Sequence, residues 1–270
     1  MTKVEMVISR GALMPTKPTI AVFAPNPVNL AKATAIAQQL NLPYFAPGQP
    51  YDFLLLIADQ YIGIQSIRTP PTNPFYIDFL SAKLHYRQTQ ASLRKEALAR
   101  AIGIKPQENP VIIDATAGLA RDSFILASLG YNITLLERSP ILHLLISDAI
   151  QRAAQDPIAA PIINKLHLIQ ADAISWLQNQ HAANLLPHVI YLDPMFPERR
   201  KSAQVKKDMQ VLQSLVGNDS DTEQLFAVAL ACAAARVVVK RPRLAPLLTK
   251  RLPTFQLIGK SARFDIYITR

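Results

Sequence analysis

The chain has 270 residues, half of them apolar, which is enough to bury a full core and short for two large domains. Its 29 Lys and Arg against 19 Asp and Glu give a formal charge of +10, which favours an anionic partner such as nucleic acid or a membrane surface, the plainer reading being a basic surface kept for solubility. One cysteine, Cys232, allows no internal disulfide, no Cys/His cluster suggests a metal, the N-terminus lacks the apolar stretch of a secretion signal, and the longest apolar run (Leu225 to Ala235) is too short to span a bilayer, so a cytoplasmic protein with no metal and no membrane contact is expected.

In chain order, "TIAVFA" (19–24) reads as a strand and "NLAKATAIAQQL" (29–40) as a helix. "DFLLLIA" (52–58) and "YIGIQSI" (61–67) read as paired strands across a short turn. The prolines of "RTPPTNPF" (68–75) mark a loop. Residues 1–75 are therefore expected to form a small α/β domain. A basic helical segment, or helix pair, follows over 76–104, with Leu80 and Leu84 on one face and Leu98 and Ile102 on another. Its Arg87, Arg94, Lys95 and Arg100 make either a solvated face or a surface that touches RNA.

From 105 to 270 the pattern alternates. Strands are expected at 111–115, 133–137, 166–171, 188–193 and 236–240, with helices at 120–129, 140–154, 173–179 and 221–235 between them. "LAPLLTK" (244–250) reads as helical, and two strands, "TFQLIG" and "RFDIYIT", close the chain. The alternation predicts an α/β fold with a mostly parallel sheet and helices on both faces. The last two strands lack room for a crossover and should run antiparallel to each other.

Each of four successive strands ends on an acid: Asp114, Glu137, Asp172 and Asp193. In such sheets ligands bind at the carboxyl ends of the strands. Helix capping would account for one or two of these acids. The loop "DATAGLARD" (114–122) has one glycine, Gly118, where a dinucleotide fingerprint needs three, so a nicotinamide-dependent oxidoreductase is disfavoured. A ligand without a pyrophosphate fits better, and S-adenosylmethionine (SAM) is one. Its ribose diol calls for a carboxylate, and Glu137 follows Asp114 by 23 residues, near the spacing of a ribose acid. Its cationic end suits Asp114 or Asp122, and Asp172 could meet the adenine amino group.

"DPMF" (193–196) resembles the D/N-P-P-F/Y motif of amino-methyltransferases. The amine on a base is a poor nucleophile, because its lone pair is delocalised into the ring. Asp193 and carbonyls presented by Pro194 could accept its N–H bonds, and Phe196 could stack on an extruded base. Arg199, Arg200, Lys201, Lys206 and Lys207 follow directly and could hold phosphates. Core packing of Phe196 and a solvated loop are the plainer readings of the same residues.

The segments "VIIDATAGLARDSFILASLGYNITLLERSP", "YLDPMFPERRKSAQVKKDMQVLQSLVG", "VVVKRP" and "GKSARFDIY" are similar to the ribosomal RNA small-subunit methyltransferase J family. The resemblance implies a class I (Rossmann-like) methyltransferase fold with a small N-terminal α/β domain. It implies SAM as cofactor, and the N2 amine of one guanosine in small-subunit (16S) rRNA as target, with the rRNA or the small ribosomal subunit as partner. Carried over by motif, the cofactor contacts fall on Arg121, Asp122, Glu137, Arg138, Asp172, Ala173 and Asp193. Two departures stand out: Ala120 replaces a usual glycine, and 86–97 lacks the expected glycine-rich turn. Methylation of another base amine, such as adenine N6, and a non-catalytic rRNA-binding assembly factor are the competing functions.

Overall fold

The computed structural model describes residues 19–67, 73–194 and 221–269. Its first sheet contains β1 (Ile20–Phe23), β2 (Phe53–Ile57) and β3 (Ile62–Ser66), in that order. The first pair is parallel and the second antiparallel. Helix α1 (Leu30–Gln39) makes the crossover between β1 and β2, and it buries Ala33, Ile36 and Ala37. That i, i+3, i+4 spacing is what an amphipathic helix needs to cover a sheet.

The basic segment is a helix pair, α2 (Ala82–Gln90) and α3 (Ala97–Ile102). The expectation that Leu80 shares a helical face with Leu84 is not met. Leu80 precedes the helix in a turn in which its N–H is accepted by Asp78 Oδ1, and it is 45 % exposed, whereas Leu84 is buried. Leu98 and Ile102 are buried as expected. Gly103 ends α3 at φ +65°, and a Cβ there would lie 2.0 Å from the Arg236 guanidinium. Glycine suits the left-handed conformation, and any side chain there would also displace the Arg236 guanidinium.

The second sheet has seven strands in the order β6-β5-β4-β7-β8-β10-β9. These are β4 (Ile112–Asp114), β5 (Ile133–Glu137), β6 (Leu166–Gln170), β7 (Val189–Leu192), β8 (Arg236–Pro242), β9 (Phe255–Ile258) and β10 (Ala262–Ile268). All neighbouring pairs from β6 to β8 are parallel, and β10 runs antiparallel to β8 and β9. The helices are α4 (Arg121–Ser128), α5 (Pro140–Ala153), the short α6 (Ala160–Ile163), α7 (Ala173–Ala182) and α8 (Thr222–Cys232). This is the α/β architecture that the alternation predicts.

Successive strand residues feed opposite cores. Ile112 and Val238 pack on one face, Ile113, Val237 and Val239 on the other. Both faces are covered, so the strands read as continuous apolar runs. The first core does not stop at the large sheet. It runs without interruption from Val22, Leu55 and Ile64 of the small sheet to Phe124, Leu145 and Ile266. Helix α5 packs on β3 as well as on β5 and β6. Phe79 stacks on Phe124 with ring centroids 5.1 Å apart. Arg152 of α5 lies over the Tyr76 ring and donates to the Ile77 carbonyl.

The helix expected over 244–250 is absent, for a clear reason. The Arg263 guanidinium takes the carbonyls of Arg243, Ala245 and Pro246, and Arg241 also donates to Pro246. Carbonyls held by these buried cations cannot serve a helical ladder. Arg263 is balanced by Asp265, which is fully buried and held at 2.8 and 3.1 Å.

Candidate active site

The strand order reverses between β4 and β7, which places a crevice at their carboxyl ends. The turn after β4 forms its floor. Asp114 is 2 % exposed, and its carboxylate accepts from Ser123 Oγ at 2.5 Å and from the Thr116 N–H at 3.1 Å. Burial pushes its carboxyl up to about 7, against those two hydrogen bonds. Asp114 is therefore a strut that ties the start of α4 to the end of β4. Gly118 and Ala120 both adopt left-handed backbone conformations, at φ +55° and +53°. Gly118 has room for a Cβ, so the conformation rather than space selects glycine. Ala120 holds the same conformation with a methyl group, at an energetic cost.

Glu137 ends β5 and is 6 % exposed. Its Oε1 accepts from the Ser139 N–H at 2.7 Å, and its Oε2 from the Gly118 N–H at 3.2 Å. It thus joins the β4 turn to the cap of α5. Asp172 lies two residues past β6, and its Oδ1 caps α7 through the Ser175 N–H at 2.9 Å. Arg138 pairs with Asp221 at 2.6 Å. Glu137, Arg138, Asp172, Ala173, Asp193, Pro194 and the apolar Leu136, Leu142, Ile174 and Leu225 line one cleft, with a cavity volume of about 80 Å³.

A second compartment adjoins the first and shares Thr116, Gly118 and Asp193 with it. Arg87, Asp114, Arg121, Asp122, Tyr191 and Lys240 supply the rest of its polar lining. Inside it runs a chain of charges. Asp122 accepts from Arg87 Nη1 at 2.7 Å, from Tyr191 Oη at 2.8 Å and from Lys240 Nζ at 2.6 Å. Lys240 Nζ also donates to Asp193 Oδ2 at 2.8 Å. Arg87 reaches Glu96 as well, at 3.1 Å. Burial alone would raise the Asp122 carboxyl, but Lys240 and Arg87 outweigh it and hold the group far below the usual carboxylate range. Recession into the crevice raises the Asp193 carboxyl, Lys240 opposes the rise and Asp122 adds to it. The Asp193 side chain still keeps 40 % of its surface open. Its main-chain N–H donates to Thr116 Oγ1 at 2.6 Å.

A family model described as "Putative SAM-dependent methyltransferase" matches residues 35–269. A protein of Thioalkalivibrio sulfidiphilus named ribosomal RNA small subunit methyltransferase J is 48 % identical over 242 residues, 88 % of this chain and 93 % of that one. The chain belongs to the ribosomal RNA small-subunit methyltransferase J family. A Nitrosococcus oceani protein of the same name is 43 % identical over 245 residues, covering 89 % and 94 % of the two chains. Among solved structures, a SAM-dependent methyltransferase from Neisseria gonorrhoeae superposes with a TM-score of 0.72 at 28 % identity, covering 93 % of this chain and 96 % of that one. The class I methyltransferase fold and the dependence on SAM follow for this chain.

Every cofactor position expected from the sequence, Asp114, Gly118, Arg121, Asp122, Glu137, Arg138, Asp172, Ala173 and Asp193, lines at least one of the two compartments. Pro194 lines the first. Phe196, Arg199, Arg200, Lys201, Lys206 and Lys207 lie outside the described residues. Thr116, Tyr191 and Lys240 escaped the sequence reading. Lys240 could have been noticed as a charge closing the buried run "RVVVK", one register step past the Leu192–Val239 pair. Among the described residues, no group of His, Cys, Asp or Glu could hold a metal, and no helix is long and apolar enough to cross a membrane.

Proposed function

We propose that the protein transfers a methyl group from SAM to the exocyclic N2 of a guanosine in small-subunit (16S) rRNA, as free rRNA or in the small ribosomal subunit. The observation that carries the reading is Asp193 of the DPMF motif, which is shared by both compartments and held from two sides. The names of the relatives support rRNA as the substrate class.

The donor set suits SAM. Glu137 offers a buried carboxylate to a ribose diol, and Asp172 with Ala173 stands where an adenine edge can be met, between the apolar Leu136, Leu142 and Ile174. The turn with Asp114, Gly118, Arg121 and Asp122, together with Arg138, frames the rest. Bound there, SAM supplies a methyl group on a sulfonium. The protein's task is to present the amine: the Asp193 carboxylate and the main chain at Pro194 accept its N–H bonds, and Phe196 stacks on the extruded base, worth about 1–3 kcal/mol. Arg199, Arg200, Lys201, Lys206 and Lys207 hold the neighbouring phosphates. The helix pair of 76–104 joins the small domain (1–75) to the methyltransferase domain (105–270) and adds an RNA-facing surface. Its Tyr86 is 69 % exposed, and Arg94 and Lys95 are exposed near Arg87, which reaches the second compartment.

The test is transfer of label from SAM to total RNA, followed by nucleoside analysis. Label in N2-methylguanosine of the 16S fraction is expected, and Phe196→Ala should lower turnover strongly while cofactor affinity stays within about twofold. Label in N6-methyladenosine would overturn the guanine assignment, and wild-type turnover in Phe196→Ala would return Phe196 to core packing.

A further inference from the structure

We infer that Lys240 is a positioning residue for the reaction: it fixes the Asp193 carboxylate in one orientation and keeps it charged, so that it can accept the N–H of the target amine. This rests on the reading of Asp193 given above. The argument starts from geometry. Lys240 is the fifth residue of β8, beside the end of β7, and its stem rises from a strand whose Val237, Val238 and Val239 are fully buried. The ammonium therefore has a rigid base. It bridges Asp122 and Asp193 at 2.6 and 2.8 Å. Asp122 in turn is fixed by Arg87 from α2 and by the Tyr191 hydroxyl from β7. Among the described residues, Lys240 is thus the side chain that links the Asp193 carboxylate to a charged lattice anchored on three other elements.

The Asp193 main chain is pinned separately, through Thr116. One contact locates its backbone and the other orients its side chain. A carboxylate that receives an N–H from a weakly nucleophilic amine must be ionised and aimed before the base arrives, because reorganisation at the moment of reaction costs rate. The charged and titratable groups that line the two compartments with Asp193 are Asp114 at the end of β4, Arg121 and Asp122 on α4, Glu137 and Arg138 at the end of β5, Asp172 before α7, Tyr191 on β7, Asp221 before α8, Lys240 on β8 and Arg87 on α2. Of these, Asp122 raises the Asp193 carboxyl, and Lys240, in direct contact with it, opposes the rise.

The two neighbours of Lys240 therefore make opposite predictions. In Lys240→Met the Asp193 carboxylate loses its cation and ionises at a higher pH. In Asp122→Asn it loses a nearby negative charge while keeping Lys240, and ionises at a lower pH. The experiment is kcat as a function of pH at saturating SAM and RNA, with each variant's folded fraction set by unfolding curves. We expect the acid limb of kcat to move up by at least one pH unit in Lys240→Met, to move down in Asp122→Asn, and to stay near wild type in Lys240→Arg. At pH 7, kcat of Lys240→Met should fall at least tenfold and that of Lys240→Arg much less. A role limited to holding the fold would lower kcat by one factor at every pH and leave the limb in place, and that result in both Lys240→Met and Asp122→Asn overturns the inference. If Lys240→Met does not fold, the direction of the Asp122→Asn shift decides alone. Asp193→Asn separates the two levels. If it keeps wild-type kcat, the reading of Asp193 fails; if it loses activity while the limbs do not move, only the role of Lys240 fails.

Discussion

Replacing Glu137 tests the cofactor site and the scaffold together, because this side chain serves both. From the sequence, Glu137→Ala is expected to weaken SAM binding with the fold intact. The two main-chain bonds that Glu137 accepts add a cost in stability. The short bond from Ser139, 2.7 Å to a charged acceptor, is worth about 1.5–3 kcal/mol, and the longer one from Gly118, at 3.2 Å, about 0.5–1.5 kcal/mol. Truncation leaves both main-chain donors without this acceptor in a largely buried site. Glu137→Ala should therefore lower the free energy of unfolding by about 2–4 kcal/mol, while Glu137→Gln, which keeps one acceptor oxygen, should lose roughly 1 kcal/mol. If the ribose diol donates to the same carboxylate, SAM affinity should fall at least tenfold in the alanine variant, about 1.4 kcal/mol. Urea denaturation without ligand measures the first quantity. Calorimetric titration with SAM, at a temperature where each variant stays folded, measures the second. Wild-type affinity in Glu137→Ala would remove Glu137 from the cofactor site, and an unchanged urea midpoint would show that the two main-chain ties do not matter.

Three further outcomes are expected. Burial raises the Asp114 carboxyl to about 7, so the folded state holds a proton that the unfolded chain has released; stability should fall as pH rises from about 4 to about 7, by about 4 kcal/mol from this group. Urea midpoints between pH 5 and 8 should slope downward in wild type more than in Asp114→Asn, and equal slopes refute the assignment. Ala120→Gly should stabilise by about 0.5–1 kcal/mol, the left-handed cost relieved less the extra chain entropy of glycine, and a lower urea midpoint would show that packing of the methyl group outweighs the strain. Replacing Arg199, Arg200 and Lys201 together by Ala should flatten the salt dependence of RNA binding by about two units of log–log slope, at roughly 0.7 per phosphate contact, without altering SAM affinity, whereas parallel lines would mean that the run shapes its loop and touches no phosphate.

Most strands were legible because their chemistry is local. "ITLLE" gives β5 and Glu137 at its end, and "VIIDA" gives β4 with Asp114, since apolar runs that stop on an acid mark both the strand and its edge. The antiparallel closure of β9 and β10 followed from the length of their connection alone. What local pattern could not supply was partnership across the chain. Nothing around Asp122 announces that Lys240, 118 residues away, neutralises it. The loop at 244–250 has a helical composition, yet its carbonyls are claimed by Arg241 and Arg263. Asp114 and Asp172 looked like ligand groups and are also braces for a helix start, a distinction visible only once their donors are placed.

The core shared by the two sheets also bears on how the chain is made. The small sheet leaves the ribosome first, yet its apolar face is only partly covered by α1, its own helix. Helix α5 packs on β3 and adds to that cover. Synthesis must run on from Ser66 to Ala153 before that cover exists, roughly 4–17 s at the usual rate of elongation. Through that interval Leu55, Ile57 and Ile64 belong to an unfinished surface. A chain cut after β3 would keep that surface permanently, and a fusion partner placed at the N-terminus would have to tolerate a neighbour that settles late.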